Sequence, residues 1–538
     1  MEKLTDLWAR YGRKDRVDVE YLPLPGTPSC RTSDDEPLRS HDAPHPQRSL
    51  AFITWQTTPS FEVRVNVYAV WRFLGPMLVA LVPSFLRSRK PRKLYPTSYL
   101  DGLRGIAALF VVFHHYAINF TVTSMDGWHT GEPGSHDWFF LFPLVRVIHS
   151  GRFMVIIFFV ISGYVLSLQG LKLARSGDKE KLLDSLTSSV FRRWIRLHIP
   201  VIASTFIAFL CARAAVWTLL SPDWDHLNAA SHILGRSQPL PYPEGTFMEQ
   251  FWDWFADAKQ LCDPFRYGTY SNSKYNINNL WTIPVEWMGS MLVFATVLGI
   301  SRCKTWAKVG SLLVLIYWAH HNSRWEWGTF LSGTLLAEIS LIRNTHPGPS
   351  KFEFIDEKLP EIKAPLQFMS KLFWTILFIT GIYLGAQPQS LSSTSPGYMT
   401  IMSYLPPQYR GNPDVFWPCI GGVLLVFSLE NAPFLQSFFT ISFAQYLGDI
   451  SFSLYMLHGQ VLFTLGQWII PKAMNITGGW ENGGFGFGCG LVLSSVVWGP
   501  VTFWVSDLFW RGVDRRSVGL ARWVGEVCFL KEGGGKVG

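Results

Sequence analysis

The stretch Tyr99–Phe120, YLDGLRGIAALFVVFHHYAINF, decides the class of fold, because it is long and apolar enough to cross a membrane as one helix. It nevertheless carries Arg104 near its start and the adjacent histidines His114 and His115 well inside it. Ionisable side chains at this depth are costly, and they normally face a partner or a water-filled space. The stretch therefore predicts a membrane-spanning helix that carries a functional face.

The composition of the whole chain also indicates a membrane protein. Charged residues make up 16% and aromatic residues 15% of the 538 residues, whereas soluble domains have about 25% charged residues. The charges are clustered, so apolar runs of roughly 20 residues recur, and each can cross a hydrocarbon core of about 30 Å. We therefore predict an all-α, polytopic transmembrane helical bundle. The net charge of +8 comes from basic residues beside the apolar runs, where they orient the chain, so no nucleic-acid partner is expected.

Ten apolar segments are predicted to span the lipid bilayer, which is the first expected partner. They lie at 103–123, 152–170, 199–220, 279–300, 305–321, 326–343, 371–387, 414–430, 447–470 and 487–509. Lys and Arg are concentrated in alternate loops, which places both termini in the cytoplasm. On the opposite side Asn475 and Asn119 begin glycosylation sequons, so we expect a glycoprotein of the endoplasmic reticulum or another endomembrane.

Three regions follow from this pattern. Residues 1–94 are expected to form a cytoplasmic, mostly disordered tail with an interfacial apolar segment at 66–86. Residues 95–510 form the membrane domain, and 511–538 form a cytoplasmic C-terminal tail. The polar first sixty residues lack the apolar core of a cleavable signal peptide, so a later helix is expected to start membrane insertion.

Helical geometry places Arg104 and His115 on one face of the first span. Eleven residues at 100° each amount to three turns plus about 20°, and they rise by roughly 16 Å. His114 points about 100° away from His115. A lone histidine would favour a helix-packing role, but the arginine on the same face favours a functional role for His115 near the middle of the membrane.

Polar residues also mark the third and fourth spans. Arg193 and Arg196, spaced i, i+3 before the third span, either anchor the helix at the interface or form an anion site, since guanidinium groups bind phosphate bidentately. Glu286 lies about two turns inside the fourth span. It either joins two helices through a hydrogen bond or takes part in a site.

The ninth span carries a polar face of its own. Ser451, Tyr455 and His458 fall at i, i+4 and i+7, and they either line a cavity or join the helices of the bundle. The sequence contains no zinc motif, nucleophile elbow, phosphate-binding loop or dinucleotide fingerprint. The candidate chemistry therefore rests on His, Glu and Arg, and no metal is expected.

These motifs together resemble those of the acyltransferase 3 family of integral membrane acyltransferases. The Arg-x10-His motif that ends at His115, RRWIR at 192–196, LWTIPVEWMGSMLVF around Glu286 and LGDISFSLYMLHGQVLF in the ninth span follow the family order. The preceding apolar segment, which ends in VPSF and a basic cluster, is similar to fungal members, many of which modify small secondary metabolites. The resemblance implies about ten helices, an acyl-CoA donor approached from the cytosol, often acetyl-CoA, and a hydroxyl acceptor.

The resemblance carries over to individual residues of this chain. The residues that match the family motifs are Arg104, His115, Arg193, Arg196 and Glu286. We therefore expect an acyl-CoA-dependent O-acyltransferase that holds no cofactor and uses acyl-CoA as a cosubstrate, with the donor phosphates at Arg193 and Arg196.

In this hypothesis His115 is the general base that acts on the acceptor hydroxyl. Arg104 orients the donor or stabilises the developing negative charge. Glu286 holds the imidazole or positions the acceptor, and the adjacent His114 is the competing candidate for the base.

A transporter of a small molecule or ion is the alternative hypothesis, because polar residues within a membrane mark substrate paths as readily as active sites. The sequence shows no paired repeats and few intramembrane acids for ion coupling, and both observations favour the enzyme. The acceptor is expected to be a hydroxylated small molecule, for which a polyketide, terpenoid, sterol, sugar or glycan stay open. Nothing in the sequence indicates an oligomeric state.

Overall fold

The computed structural model divides the chain into two units, residues 1–77 and 78–538. The residues that the structure describes are 52–58, 61–66, 79–87, 93–131, 137–220, 241–263, 275, 280–345, 360–479 and 484–529.

The described part of the first unit is a two-stranded antiparallel hairpin. Strands β1 (Phe52–Thr58) and β2 (Phe61–Asn66) pair with Trp55 opposite Val63. Both strands contain β-branched and aromatic residues in alternation with polar ones, a pattern that favours a pleated strand. The prediction of a mostly disordered tail missed this hairpin.

The described part of the second unit is helical, which confirms the predicted all-α class. Its helices of eight or more residues are α1 (Ser98–Phe120), α2 (Gly151–Ser176), α3 (Lys179–Arg213), α4 (Phe247–Cys262), α5 (Thr282–Ile300), α6 (Thr305–His321), α7 (Trp325–Thr345), α8 (Pro360–Gly385), α9 (Phe416–Asn431), α10 (Pro433–Thr440), α11 (Ser442–Val461), α12 (Gln467–Thr477), α13 (Gly484–Phe509) and α14 (Arg515–Cys528). Short π-helical turns, Leu462–Gly466 and Trp510–Asp514, join α11 to α12 and α13 to α14.

All ten predicted spans fall on these helices. Within the described residues, six helices are long and apolar enough to cross a membrane, or seven if α9 and α10, which meet at a bend of 101°, form one broken span. The predicted number of ten is therefore not confirmed. Helix α6, for example, has 17 residues, whereas a span needs about 20.

Helices α1 and α11 pack closely against each other and run parallel. The Gln445 side chain donates a hydrogen bond to the Ser98 carbonyl oxygen near their first turns. Further along both helices, the ring of His458 lies beside that of His115. The predicted polar faces of the first and ninth spans therefore meet along their length.

Glycine residues allow this close approach. A Cβ atom on Gly105 would overlap the backbone of Gly448 and of Leu447 on α11. Any side chain at this position would push the two helices apart, so glycine is required for the contacts that form the candidate site.

The end of the predicted apolar segment 66–86 packs against α13. Within residues 79–87, Ser84 donates two hydrogen bonds to the carboxylate of Asp507, which is fully buried, and the indole of Trp504 donates to the Leu81 carbonyl oxygen. Residues 67–78 lie outside the described part of the chain, so the prediction for that stretch stays open.

Candidate active site

Arg104 is held between α1 and α11. Its Nε donates to the Ser451 hydroxyl at 3.0 Å, and its Nη2 donates to the Gly448 carbonyl oxygen at 3.0 Å. Its guanidinium also lies 3.5 Å from the Asp101 carboxylate on the preceding turn. These contacts fix the orientation of the guanidinium and bring together two of the residues that the sequence predicted for a site.

Arg193 and Glu286 form an ion pair between α3 and α5. The Arg193 Nη2 lies 2.6 Å from the Glu286 Oε1, and only 11% and 16% of the two side chains are exposed. Arg193 Nε donates to the Ser290 hydroxyl at 2.9 Å, and the Ser162 hydroxyl donates to Glu286 Oε1 at 2.7 Å. Because these contacts satisfy both charges, the pair forms a fixed part of the site.

Glu286 contacts Arg193 and Ser162 and, within the described residues, neither histidine of α1. Of the two roles expected for Glu286, holding the His115 imidazole does not agree with these contacts, and positioning the acceptor stays a prediction. Helix α5 begins at Thr282, so Glu286 lies about one turn inside it instead of the predicted two, and its neighbour on α3 depends on tertiary packing.

Arg196 differs from its two neighbours, although its charge interacts with those of Arg104 and Arg193. Its side chain is exposed, although protein atoms lie on most sides of it. No residue in the described ranges forms a hydrogen bond or a close ion pair with it. The arginine cluster, defined as Arg104, Arg193 and Arg196, therefore has one guanidinium available for an anion.

The histidine cluster, defined as His114, His115 and His458, lies further along α1 and α11. The ring centroids of His114 and His115 are 5.2 Å apart, and those of His115 and His458 are 5.1 Å apart. His115 is therefore at the centre of the cluster, with one imidazole on each side.

Hydrogen bonds to the backbone distinguish the three imidazoles. The Nδ1 atom of His114 donates to the His149 carbonyl oxygen at 2.7 Å, and that of His458 donates to the Leu454 carbonyl oxygen at 3.0 Å. A carbonyl oxygen can only accept, so these bonds assign the proton to Nδ1 in both rings. His115 has no such bond within the described residues, and its ring is half-buried. Both of its nitrogens are therefore available to a substrate.

Tyr455 links the predicted polar face of α11 to α5. Its hydroxyl lies 2.7 Å from that of Thr282, and both groups are buried. Along this face Ser451 contacts Arg104, Tyr455 contacts Thr282 and His458 contacts His115. The first two residues join helices of the bundle, and the third belongs to the histidine cluster.

A small polar cavity adjoins His114. It has a volume of about 10 Å³, enough for about one water molecule, and its lining includes Arg146, His149 and Asp414. Burial, together with the positive charge of Arg146, lowers the pKa of His149 to about 3, so this imidazole is neutral at physiological pH. Sequence reasoning missed these residues because they come from short connections, which usually lie in solvent.

Ser162 and Ser290 are also residues that sequence reasoning missed. Ser290 follows Glu286 at i+4 and therefore shares its helix face. Ser162 is a polar residue inside the apolar run VIIFFVISGYVL of α2. Both signals are present in the sequence, but serine is common in membrane helices, where it often bonds to its own backbone.

The glycosylation sequons lie in different surroundings. Asn119 is buried, and its amide donates to the His115 carbonyl oxygen at 2.6 Å. Asn475 is exposed at the end of α12. Glycosylation stays a prediction at both positions. The described residues contain no group of three or more His, Cys, Asp or Glu side chains arranged to hold a metal ion.

Comparisons with known proteins agree with the motifs. Residues 97–504 match the family model described as an acyltransferase domain. The O-acetyltransferase PaAT-1 of Phomopsis amygdali is 31% identical over 485 residues, which cover 82% of this chain and 87% of that protein. Acyltransferase R4 of a Phoma species and acyltransferase clz18 of Cochliobolus lunatus are each 23% identical, over 74% and 71% of this chain and 90% and 86% of their own lengths. No solved structure matches the chain.

Proposed function

The chain belongs to the acyltransferase family whose model it matches over residues 97–504 and is an acyl-transferring membrane enzyme, and on this premise we propose that it moves an acetyl group from acetyl-CoA to a hydroxyl group of a small secondary metabolite. The printed name of the Phomopsis amygdali relative, an O-acetyltransferase, supports both the acetyl group and the hydroxyl acceptor. Membership of an acyltransferase family favours this function over the transporter alternative.

The observation that carries the proposal is the separation of two clusters along one helix pair. The arginine cluster lies at the end where α1 begins, and His115 lies roughly 16 Å further along the same helix face. CoA has the same arrangement, since its phosphates and its thioester are joined by a long, flexible arm. With the phosphates at the arginine cluster, which includes the expected Arg193 and Arg196, the thioester reaches the histidine cluster.

The transfer needs only one group that accepts and returns a proton. The acceptor oxygen attacks the thioester carbonyl carbon while a nitrogen of His115 takes the hydroxyl proton. The tetrahedral intermediate then collapses, the carbon–sulfur bond breaks, and the imidazolium returns the proton to the CoA thiolate. The products are the acetyl ester and free CoA.

The remaining residues position these groups. Glu286 holds Arg193 through their ion pair, and Ser451 orients Arg104. Arg104 and Arg193 then act on the donor as fixed positive charges that need not reorganise during the reaction. We expect the arginine cluster to face the cytosol from the endoplasmic reticulum membrane, so that cytosolic acetyl-CoA can reach it.

The test compares His115→Ala with His114→Ala in purified protein, with the compound that accumulates in a deletion strain as acceptor and thiol release from acetyl-CoA as readout. Loss of a general base lowers the rate by about 10²–10⁴-fold, and we expect this for His115→Ala. His114→Ala should retain most of the rate, because the backbone bond to His149 keeps that ring away from the acceptor. If His114→Ala abolishes transfer and His115→Ala does not, the assignment of the base is wrong.

A further inference from the structure

Helix α14 lies beyond the part of the chain that matches the family, which ends at residue 504. It packs along the first half of α3. Its buried residues are Ser517, Ala521 and Gly525, which are small and spaced i, i+4, i+8, so they form one face. At Gly525 this face lies against the aliphatic part of the Arg192 side chain on α3.

Two contacts define how α14 aligns with α3. The rings of Phe529 and Phe191 are 5.2 Å apart. A Cβ atom placed on Gly525 would lie 3.5 Å from the Cδ of Arg192. The earlier residue, Gly525, contacts Arg192, whereas the later residue, Phe529, contacts the preceding Phe191. Because the order of contacts is reversed, the two helices run antiparallel.

The same alignment brings Arg522 to the arginine cluster. Ala521 and Arg522 lie one turn before Gly525 on α14, and Arg196 lies one turn after Arg192 on α3. In an antiparallel pair these positions lie opposite each other. The positive charges of Arg522 and Arg196 interact, as this geometry requires. Tertiary packing thus adds a fourth guanidinium beside the cluster.

Arg522 is exposed and, within the described residues, forms no hydrogen bond or close ion pair. Arg196 is also exposed and also lacks a hydrogen bond or close ion pair within these residues. The Asp514 carboxylate interacts with Arg196 and Arg104, but it forms no ion pair within 4 Å of either. Asp514 therefore offsets only part of the positive charge. Two neighbouring guanidinium groups that lack a close ion pair repel each other, and an anion between them removes that repulsion.

We propose that Arg522 binds the 3′-phosphate on the ribose of the CoA donor, so that the donor site includes a helix outside the family domain. The inference rests on the proposed function and extends it. Along the chain of CoA, the thioester is followed by the pantetheine arm, the pyrophosphate and finally the 3′-phosphate. His115 lies roughly 16 Å along α1 from Arg104, and Arg522 lies opposite Arg196 at the arginine end of this arrangement.

The test measures the dissociation constants of CoA and of 3′-dephospho-CoA for the purified full-length protein in zwitterionic detergent. A charged hydrogen bond to a phosphate contributes enough that its loss weakens binding about tenfold. We expect Arg522→Gln to weaken CoA binding by this factor and to leave 3′-dephospho-CoA binding unchanged. Arg522→Lys keeps the charge without the bidentate geometry of arginine. Its CoA affinity should lie between those of the unchanged protein and of Arg522→Gln.

Arg515→Gln is the matched control, since Arg515 lies on the same helix but stacks on Trp510. It should bind both ligands like the unchanged protein. Equal weakening of both ligands by Arg522→Gln, or no weakening of either, would overturn the inference while leaving the proposed function intact. If the Arg522→Gln effect appears only with anionic lipid present, the residue binds a lipid phosphate, and the inference is also wrong. If the unchanged protein binds neither ligand, the proposed function itself fails.

Discussion

The arginine cluster, on α1 and α3, and the histidine cluster, on α1 and α11, differ in how their ionisable side chains are bonded. At the arginine cluster, Arg104 and Arg193 are held by side chains and a carbonyl group from other helices. At the histidine cluster, His115 lies between two imidazoles, and its own imidazole forms no hydrogen bond within the described residues. A permanent charge inside a membrane protein must be compensated, whereas a general base must keep a lone pair available. Under the proposed function, this difference separates donor binding from the chemical step.

The largest expected effect on stability comes from removing the carboxylate that pairs with an arginine of the arginine cluster. Glu286→Ala leaves Arg193 buried and unpaired, and the loss of one partner of a buried ion pair costs about 3–5 kcal/mol. We expect a fall of this size in the unfolding free energy, measured by denaturant titration in detergent, together with loss of acetyl-CoA binding.

Glu338→Ala is the matched control for this change. Glu338 is fully buried and pairs with Arg175 at 2.6 Å, away from both clusters. It should lose similar stability but retain acetyl-CoA affinity in the folded fraction. If both variants lose donor binding equally, Glu286 does not position the donor site.

An intermediate effect should follow from separating the two helices that carry both clusters. Gly105→Ala places a Cβ atom against the backbone of Gly448 and Leu447, and overpacking of this kind costs about 1–3 kcal/mol. Because α1 and α11 share the contact, we expect both donor binding and turnover to fall, with a lower melting temperature. Gly299→Ala, where a Cβ would meet nothing within 4 Å, should be neutral or slightly stabilising. Equal melting temperatures for the two variants would contradict the close packing.

The smallest effect is expected at the arginine that lacks a partner. Arg196→Gln removes no hydrogen bond within the described residues, so the melting temperature should stay unchanged. Acetyl-CoA binding should weaken about tenfold, as for the loss of one charged contact to phosphate, with kcat unchanged. Arg302→Gln, an exposed arginine after α5, should leave KM unchanged. A fall in kcat with constant KM would show that Arg196 takes part in the chemistry instead of binding.

The sequence predicted the local geometry of the site well. The 100° spacing of a helix is enough to place Arg104 and His115 on one face and to separate His114 from His115. The i, i+4, i+7 spacing likewise identified Ser451, Tyr455 and His458 as one face. These relations lie within single helices, where backbone hydrogen bonding determines the direction of every side chain.

The partners across helices were not predictable in the same way. Glu286 contacts Arg193 on α3, and nothing in the spacing of either segment shows that these two helices are neighbours. The antiparallel hairpin at the start of the chain was missed for a related reason, because its strands are short and each depends on the other for hydrogen bonds.

The sequence by itself determined that the chain spans a membrane, that its first helix carries an arginine and a histidine on one face, and that its motifs are those of an acyltransferase. Only the tertiary structure decided which charges are compensated and which are available. It paired Arg193 with Glu286, left Arg196 without a close partner, and placed His458 beside His115. The physical reason is that helix periodicity is local, whereas the close packing that joins α1 to α11 and α3 to α5 depends on residues far apart in the chain.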